Sequence, residues 1–253
     1  MDYDKYRAVD GVSFAVAPGE VVSLVGPNGS GKSTLIKAIA GILRPSAGRV
    51  VLDGRDVRDI RPPELARLVG YVPQSVPVTY HSTVVEAVLL GRKPYIRWGV
   101  SRSDVAIARK AMAAMGIESL AGKPMGQLSG GERQKVIIAR ALAQEPGLFL
   151  FDEPTNNLDL KHQVEVLETA RALADGRGTP ALLALHDLNL AFAYSDRVVV
   201  LAKGRLYASG DPGDVLTADI IGEVYGVAVT VHDWGRGRFI VPERVIAAGP
   251  GRA

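Results

Sequence analysis

The chain has 253 residues, 47% of them hydrophobic and 23% charged, with a formal net charge of +3. That is globular composition, and a slight basic excess with no dense Lys/Arg run argues against a dedicated nucleic-acid face. The absence of cysteine excludes disulfides, thiolate-held zinc and thiol catalysis. No apolar run approaches the ~20 residues that cross a bilayer, and the opening MDYDKYRAVDGVSF has no apolar stretch of the kind a signal peptide needs.

Residues 12–25, VSFAVAPGEVVSLV, alternate and then turn uniformly apolar. The pattern predicts an exposed strand, a turn at Pro18-Gly19 and a buried strand. In GPNGSGKSTLIKAIAGIL, which follows, Leu35, Ile36, Ile39 and Leu43 recur at helical spacing, so a helix begins near Gly31. SAGRVVLDGRDV (46–57) predicts short strands about an Asp-Gly turn, and LVGYVPQ (68–74) another strand. From about 75 to 130 the pattern is helical: TVVEAVLLGRKPYI, then SDVAIARKAMAAMGIESLA, the latter capped by Ser103. GLFLFDEP (147–154), TPALLALHD (179–187) and DRVVVLAKGRLYASG (196–210) read as strands, separated by a helix over about 161–174 and by a second helix. Strands alternating with helices predict an α/β fold whose mostly parallel sheet is covered on both faces. The tail AAGPGRA is expected to be disordered.

Three motifs carry chemistry. Gly26-x-x-x-x-Gly31-Lys32-Ser33 is a P-loop between an apolar strand and a helix. Its glycines let backbone N–H groups face phosphate oxygens, and the helix start adds a favourable dipole. Lys32 is placed to reach the β- and γ-phosphates and Ser33 to ligate Mg²⁺. LFLFDEP delivers Asp152 and Glu153 to the carboxyl end of a buried strand, where open α/β sheets bind ligands. Asp152 suits the Mg²⁺ shell, and Glu153 suits a base that orients or activates water. The third motif, Ser129-Gly130-Gly131-Glu132, has capping-box spacing. The box accounts for Ser129 and Glu132 but not for two glycines, which cost about 1 kcal/mol each inside a helix. Either the segment is only a cap, or the small residues let an anion approach the first turn.

LSGGERQ, preceded by the P-loop and followed by LFLFDEP, resembles the signature of ATP-binding cassette (ABC) ATPases, and the resemblance runs from Tyr3 to about Pro242. It implies a single ABC ATPase domain with a P-loop NTPase (RecA-like) core and an antiparallel β-subdomain over 1–74 and 131–253, and an inserted α-helical subdomain over 75–130. Gly26, Pro27, Asn28, Gly29, Ser30, Gly31, Lys32, Ser33 and Thr34 would then hold the phosphates of ATP. Asp152, Ser33 and Gln74 would hold Mg²⁺, with Gln74, the Q-loop glutamine, also sensing the attacking water. Asn157-Leu158-Asp159 matches the D-loop, and His186 the switch histidine that contacts the γ-phosphate. Tyr3 stands where the family places an aromatic residue that stacks on adenine, with Tyr6 a competing choice; a short strand usually precedes that aromatic residue, and this chain begins almost on it. In the family two cassettes pair head to tail, so Ser129, Gly130 and Gly131 would close over the ATP on a second copy's P-loop.

TVVEAVLLGRKPYI, LSGGERQKVIIARALAQEP and HDLNLAFAYSDRVVVLAKGRLYASGDPGDVLT further resemble the ATPases of importers for iron–siderophore complexes, haem and cobalamin, as does EVYGVAVTV at 223–231. The resemblance implies two copies under two membrane-spanning permease subunits at the cytoplasmic face, with an external binding protein delivering cargo. Iron–siderophore ranks first as cargo, then cobalamin and haem, with molybdate or tungstate further off. The competing class is a soluble cassette ATPase of iron–sulfur assembly, nucleic acid or ribosomes. No long coiled coil is present, and there is one P-loop. A GTPase is disfavoured by the lack of an N-K-x-D motif.

Overall fold

The computed structural model describes residues 2–3, 6–74, 82–156, 158–234 and 237–246, without the side chains of 2–7 and 234. Asn157, the tail after Ile246 and the ring positions of Tyr3 and Tyr6 therefore lie outside the described residues.

Two short strands, β1 (Asp2–Tyr3) and β2 (Tyr6–Arg7), pair antiparallel and precede β3 (Val21–Val25), which leads through the P-loop into α1 (Lys32–Ile39). The Asp53-Gly54 turn joins β4 (Val51–Leu52) to β5 (Arg55–Asp56) as an antiparallel pair. Next come α2 (Pro62–Leu68), β6 (Val69–Val72), α3 (Val84–Leu89), α4 (Arg102–Ala114), α5 (Gly130–Ala143) and β7 (Leu148–Asp152). The second half runs α6 (Leu160–Arg177), β8 (Ala181–Ala184), α7 (Leu188–Tyr194), β9 (Arg197–Ala202), β10 (Arg205–Gly210), α8 (Pro212–Val215) and α9 (Ala218–Tyr225), then the hairpin β11 (Val227–Trp234) and β12 (Gly237–Val245).

The main sheet has the order β10-β9-β3-β8-β7-β6. Four of its five pairings run parallel; at one edge β10 lies antiparallel to β9. Because successive strand residues point to opposite faces, each strand feeds two cores. Val22, Leu24, Leu150, Leu182 and Val199 pack under α1 with Leu35 and Ile36. Val21, Val25, Phe149, Phe151, Leu183 and Val198 pack on the opposite side against α5 and α6 residues such as Ile138 and Leu167. Burial on both faces explains why these strands are uniformly apolar.

Two expectations need correction, and one element was not foreseen. Residues 12–17 form no strand: Val12, Phe14 and Val16 do turn inward while their neighbours are exposed, but the segment has no ladder partner among the described residues. Alternation reports one-sided burial, and a strand also requires a hydrogen-bonding neighbour. Helix α4 is capped by Ser101, not Ser103: Ser101 and Asp104 exchange the two bonds of a capping box, at 3.1 and 3.0 Å. Ser103 lies inside the first turn. The hairpin of β11 and β12, paired from Val227↔Val245 to Trp234↔Gly237, went unread in the sequence.

The stretch GRKPYI has a structural reason. Arg92 is buried and meets Asp104 at 3.1 Å, the Ala143 carbonyl at 2.9 Å and Glu145 at 2.9 Å. Its guanidinium also stacks over the Tyr95 ring, 4.1 Å from the centroid. One side chain thus ties α4 and the end of α5 to the turn after α3.

Candidate functional site

The parallel strands end at one level. Val72 lies opposite Phe151, Asp152 opposite Ala184, and Ala184 opposite Leu24. The residues just beyond these positions are Gln74, Glu153, His186 and the P-loop, so four segments far apart in sequence open onto one edge of the sheet.

The P-loop is built by close backbone contacts. Gly26 has φ 151°, and a Cβ there would stand 2.1 Å from the Leu201 carbonyl oxygen. Gly31, at φ 101°, caps α1, and its Cβ would stand 2.5 Å from the Ala8 carbonyl oxygen. No other residue fits either position without moving the loop. The N–H groups of the first α1 turn, Lys32 to Thr34 among them, have no intrahelical acceptor and face the loop mouth. Lys32 is 4% exposed and donates to the carbonyls of Gly26 (2.7 Å) and Pro27 (3.2 Å). Burial holds its ammonium below the usual lysine range, opposed by the charges of Glu153 and Asp152. The Ser30 hydroxyl is buried with no hydrogen-bond partner, while Asn28 and Gly29 are exposed at the tip.

Asp152 is 2% exposed. The Tyr71 hydroxyl donates to Oδ2 at 3.1 Å, whereas Oδ1 is buried without a partner. Burial raises the Tyr71 hydroxyl above its usual range, with the Asp152 charge adding to the effect, so it stays a donor. Glu153 has φ 52°, a strained region for a side chain with a Cβ, of the kind found at functional sites. Its carboxylate is gripped on both oxygens. His186 Nε2 lies 2.7 Å from Oε1, while Gln74 and Asn156 donate to Oε2 at 2.5 and 2.6 Å. Structure thus brings Lys32, Gln74, Asp152, Glu153 and His186 together, and adds Tyr71 and Asn156, which sequence reading missed.

Ser129, Gly130 and Gly131 stand elsewhere, at the start of α5. The capping box forms as its spacing predicts: Glu132 N–H donates to Ser129 Oγ at 3.2 Å, and Ser129 N–H to Glu132 Oε2 at 2.8 Å. Ser129 and Gly130 are exposed. Asp159 caps α6, accepting from the His162 N–H at 2.9 Å. Among the described residues no hydrogen bond or ion pair joins these residues to the side chains around Glu153, so the two groups stand apart.

Residues 9–156 match the family described as ABC transporter. The chain belongs to this family. It is an ATP-binding subunit of such a transporter and an ATPase with the cassette fold. It is 46% identical to the hemin import ATP-binding protein HmuV of Nocardia farcinica, over 90% of this chain and 78% of that protein. It is 41% identical to the cobalamin import ATP-binding protein BtuD of Halobacterium salinarum, over 89% of this chain but only 56% of that longer protein. Among solved structures it resembles a metal-chelate type ABC transporter in an inward-facing conformation, with TM-score 0.79, 28% identity and coverage of 92% and 89% of the two chains. It also resembles the dimeric bacterial ABC transporter cassette MJ0796, with TM-score 0.75, 30% identity and coverage of 84% and 94%.

Proposed function

We propose that this cassette energises uptake of a metal chelate of the iron–siderophore, haem or cobalamin type. Two copies pair head to tail at the cytoplasmic face of a membrane, beneath permease subunits that an external binding protein supplies with cargo. Residues 75–130 act as the helical subdomain and the rest as the nucleotide-binding core with its β-strands. The observation that carries the chemistry is the Glu153 carboxylate held by Gln74, Asn156 and His186 at the mouth of the P-loop. Relatives named for hemin and cobalamin import support the cargo class.

Lys32 exchanges its Gly26 and Pro27 carbonyls for phosphate oxygens, and the α1 N–H groups take the rest of the triphosphate. His186 turns from Glu153 Oε1 toward the γ-phosphate, which frees that oxygen for water. Gln74 and Asn156 keep Oε2 fixed, so the carboxylate accepts a proton without swinging away. Bound Mg²⁺ would neutralise phosphate charge as it develops. The residues fit a hard cation: Asp152 presents a buried, unpartnered Oδ1, and Ser33 and Gln74 supply neutral oxygens. Ser129, Gly130 and Gly131, with the D-loop Asp159, serve the ATP of the other copy.

Among the described residues no helix is long and apolar enough to cross a membrane, and on this reading the permease supplies the pathway. Its seat is the groove of about 700 Å³ between α2, β6, the end of α1 and α5, beside the strand that delivers Gln74. Arg140 lines this groove, and among the described residues no hydrogen bond or ion pair engages its side chain. A carboxylate on the permease completes it. Arg140→Ala is expected to leave ATP hydrolysis by the isolated cassette within about twofold, and to lower ATP-driven uptake in reconstituted vesicles about tenfold. Uptake equal to that of the parent would remove Arg140 from the contact. Cargo is tested by comparing a deletion strain with its parent for uptake of ferric siderophores, haem, cobalamin and molybdate. Loss of one chelate names the cargo; unchanged uptake of every iron compound and of cobalamin overturns the class.

A further inference from the structure

The two signature glycines differ in what surrounds them. A Cβ on Gly130 would meet nothing within 4 Å. On Gly131 it would stand 2.7 Å from Cδ2 and Nε2, and 2.8 Å from Cε1, of the His162 ring. Real Cβ contacts do not come that close, so this ring occupies the space a side chain at 131 would need. The ring is pinned from its other edge. Its Nδ1 lies 2.7 Å from Asp159 Oδ1, the same oxygen that caps α6 by accepting the His162 N–H. Gln163, the next residue, donates to the carbonyls of Thr155 and Leu158 and fixes the loop ahead of Asp159. About one turn further along both helices, Lys135 and Glu165 pair at 2.8 Å.

The geometry points to His162 as a positioning residue that spaces the start of the signature helix from the Asp159 loop. Gly131 is glycine because the His162 ring of its own chain lies against it. The inference rests on the head-to-tail reading, in which both segments act at the ATP of the second copy. A shift of the Asp159 loop moves the ring, and the ring pushes on the first turn of α5. Contact of this kind transmits displacement because packed side chains leave no slack. His162 itself need not touch nucleotide.

The test is a rescue. Gly131→Ala should drive a methyl group into the ring and lower kcat for ATP at least about tenfold, with KM little changed because the P-loop of the same chain is untouched. His162→Asn keeps an amide where Nδ1 bonds Asp159 but withdraws the ring edge from Gly131. In the double variant kcat should recover to within about threefold of His162→Asn alone, a coupling expected only of residues in contact. Gly130→Ala is the control: His162→Asn should not restore whatever that change costs. Wild-type kcat in Gly131→Ala, or no recovery in the double variant, overturns the inference. If Gly131→Ala fails to fold, the double variant must fold and turn over, and its failure to do so overturns the inference equally. The head-to-tail reading is judged separately, by whether Glu153→Gln dimerises in ATP. Dimerisation there together with absent rescue here rejects only the role of His162.

Discussion

Replacing Glu153 with glutamine is expected to lower ATP hydrolysis by about 10²–10⁴-fold while ATP binding persists. Glutamine has the shape of glutamate, so the frame around it survives. Its amide oxygen can still accept from Gln74 and Asn156, which now stand 2.5 and 2.6 Å from Oε2, and its amide nitrogen can donate to His186, now 2.7 Å from Oε1. Its φ of 52° is no worse for glutamine than for glutamate. What disappears is the ability to take a proton. Lys32 and the P-loop N–H groups are unchanged, so ATP stays bound and is not consumed. Two half-sites that close on ATP should then remain closed. Phosphate release and light scattering with and without Mg-ATP read the two halves of this expectation. Hydrolysis within a few-fold of wild type would remove Glu153 as the base. A strictly monomeric variant in saturating Mg-ATP would overturn the head-to-tail pairing of the isolated subunit.

How much of this was legible in the sequence follows the range over which each contact acts. The P-loop was legible because its glycines answer to local constraints: Gly26 and Gly31 leave a mark at fixed spacing, whatever the rest of the chain does. The Ser129–Glu132 cap was legible for the same reason, since both partners lie within one helical turn. Glu153 and His186 were legible as single residues after apolar strands, and their meeting was implied by the family resemblance. Their 2.7 Å separation depends on β7 and β8 being neighbours in register, which no local pattern encodes. Tyr71 on Asp152 is the clearer loss. Its strand was read correctly, but whether Tyr71 reaches Asp152 depends on β6 pairing with β7, 81 residues apart at that bond. His162 was missed although Gly131 posed the question. A glycine without a local reason says that something approaches closely, not what, and the ring comes from a helix that starts 29 residues later in the chain. Ser103 was misread because a serine before a helix is a weaker signal than a serine with an acidic residue three positions on, which Ser101 has.

The same separation of contacts fixes what a mixed dimer must do. Ser129, Gly130 and Asp159 are exposed or nearly so, and none of them contacts Lys32, Glu153 or His186 in one chain. If each signature serves the other copy's P-loop, a lesion at Ser129 damages the site built on the partner, while a lesion at Lys32 damages the site built on its own chain. A heterodimer with Ser129→Arg in one chain and Lys32→Ala in the other therefore places both lesions in one composite site. The second site keeps an intact P-loop from the first chain and an intact signature from the second. Moving both lesions into the same chain, opposite a wild-type partner, breaks one element of each site. With Glu153→Gln added throughout to stop turnover, the first arrangement should trap about one ATP per dimer and the second none. The two heterodimers contain the same substitutions, so altered folding of either chain lowers both and cannot produce the difference. The reverse pattern, none in the first arrangement and about one in the second, would place Ser129 beside the P-loop of its own chain, and equal trapping would remove Ser129 from both sites. One trapped ATP against none places it across the interface, where its exposed hydroxyl and the open space over Gly130 face the nucleotide held by Lys32 of the second copy.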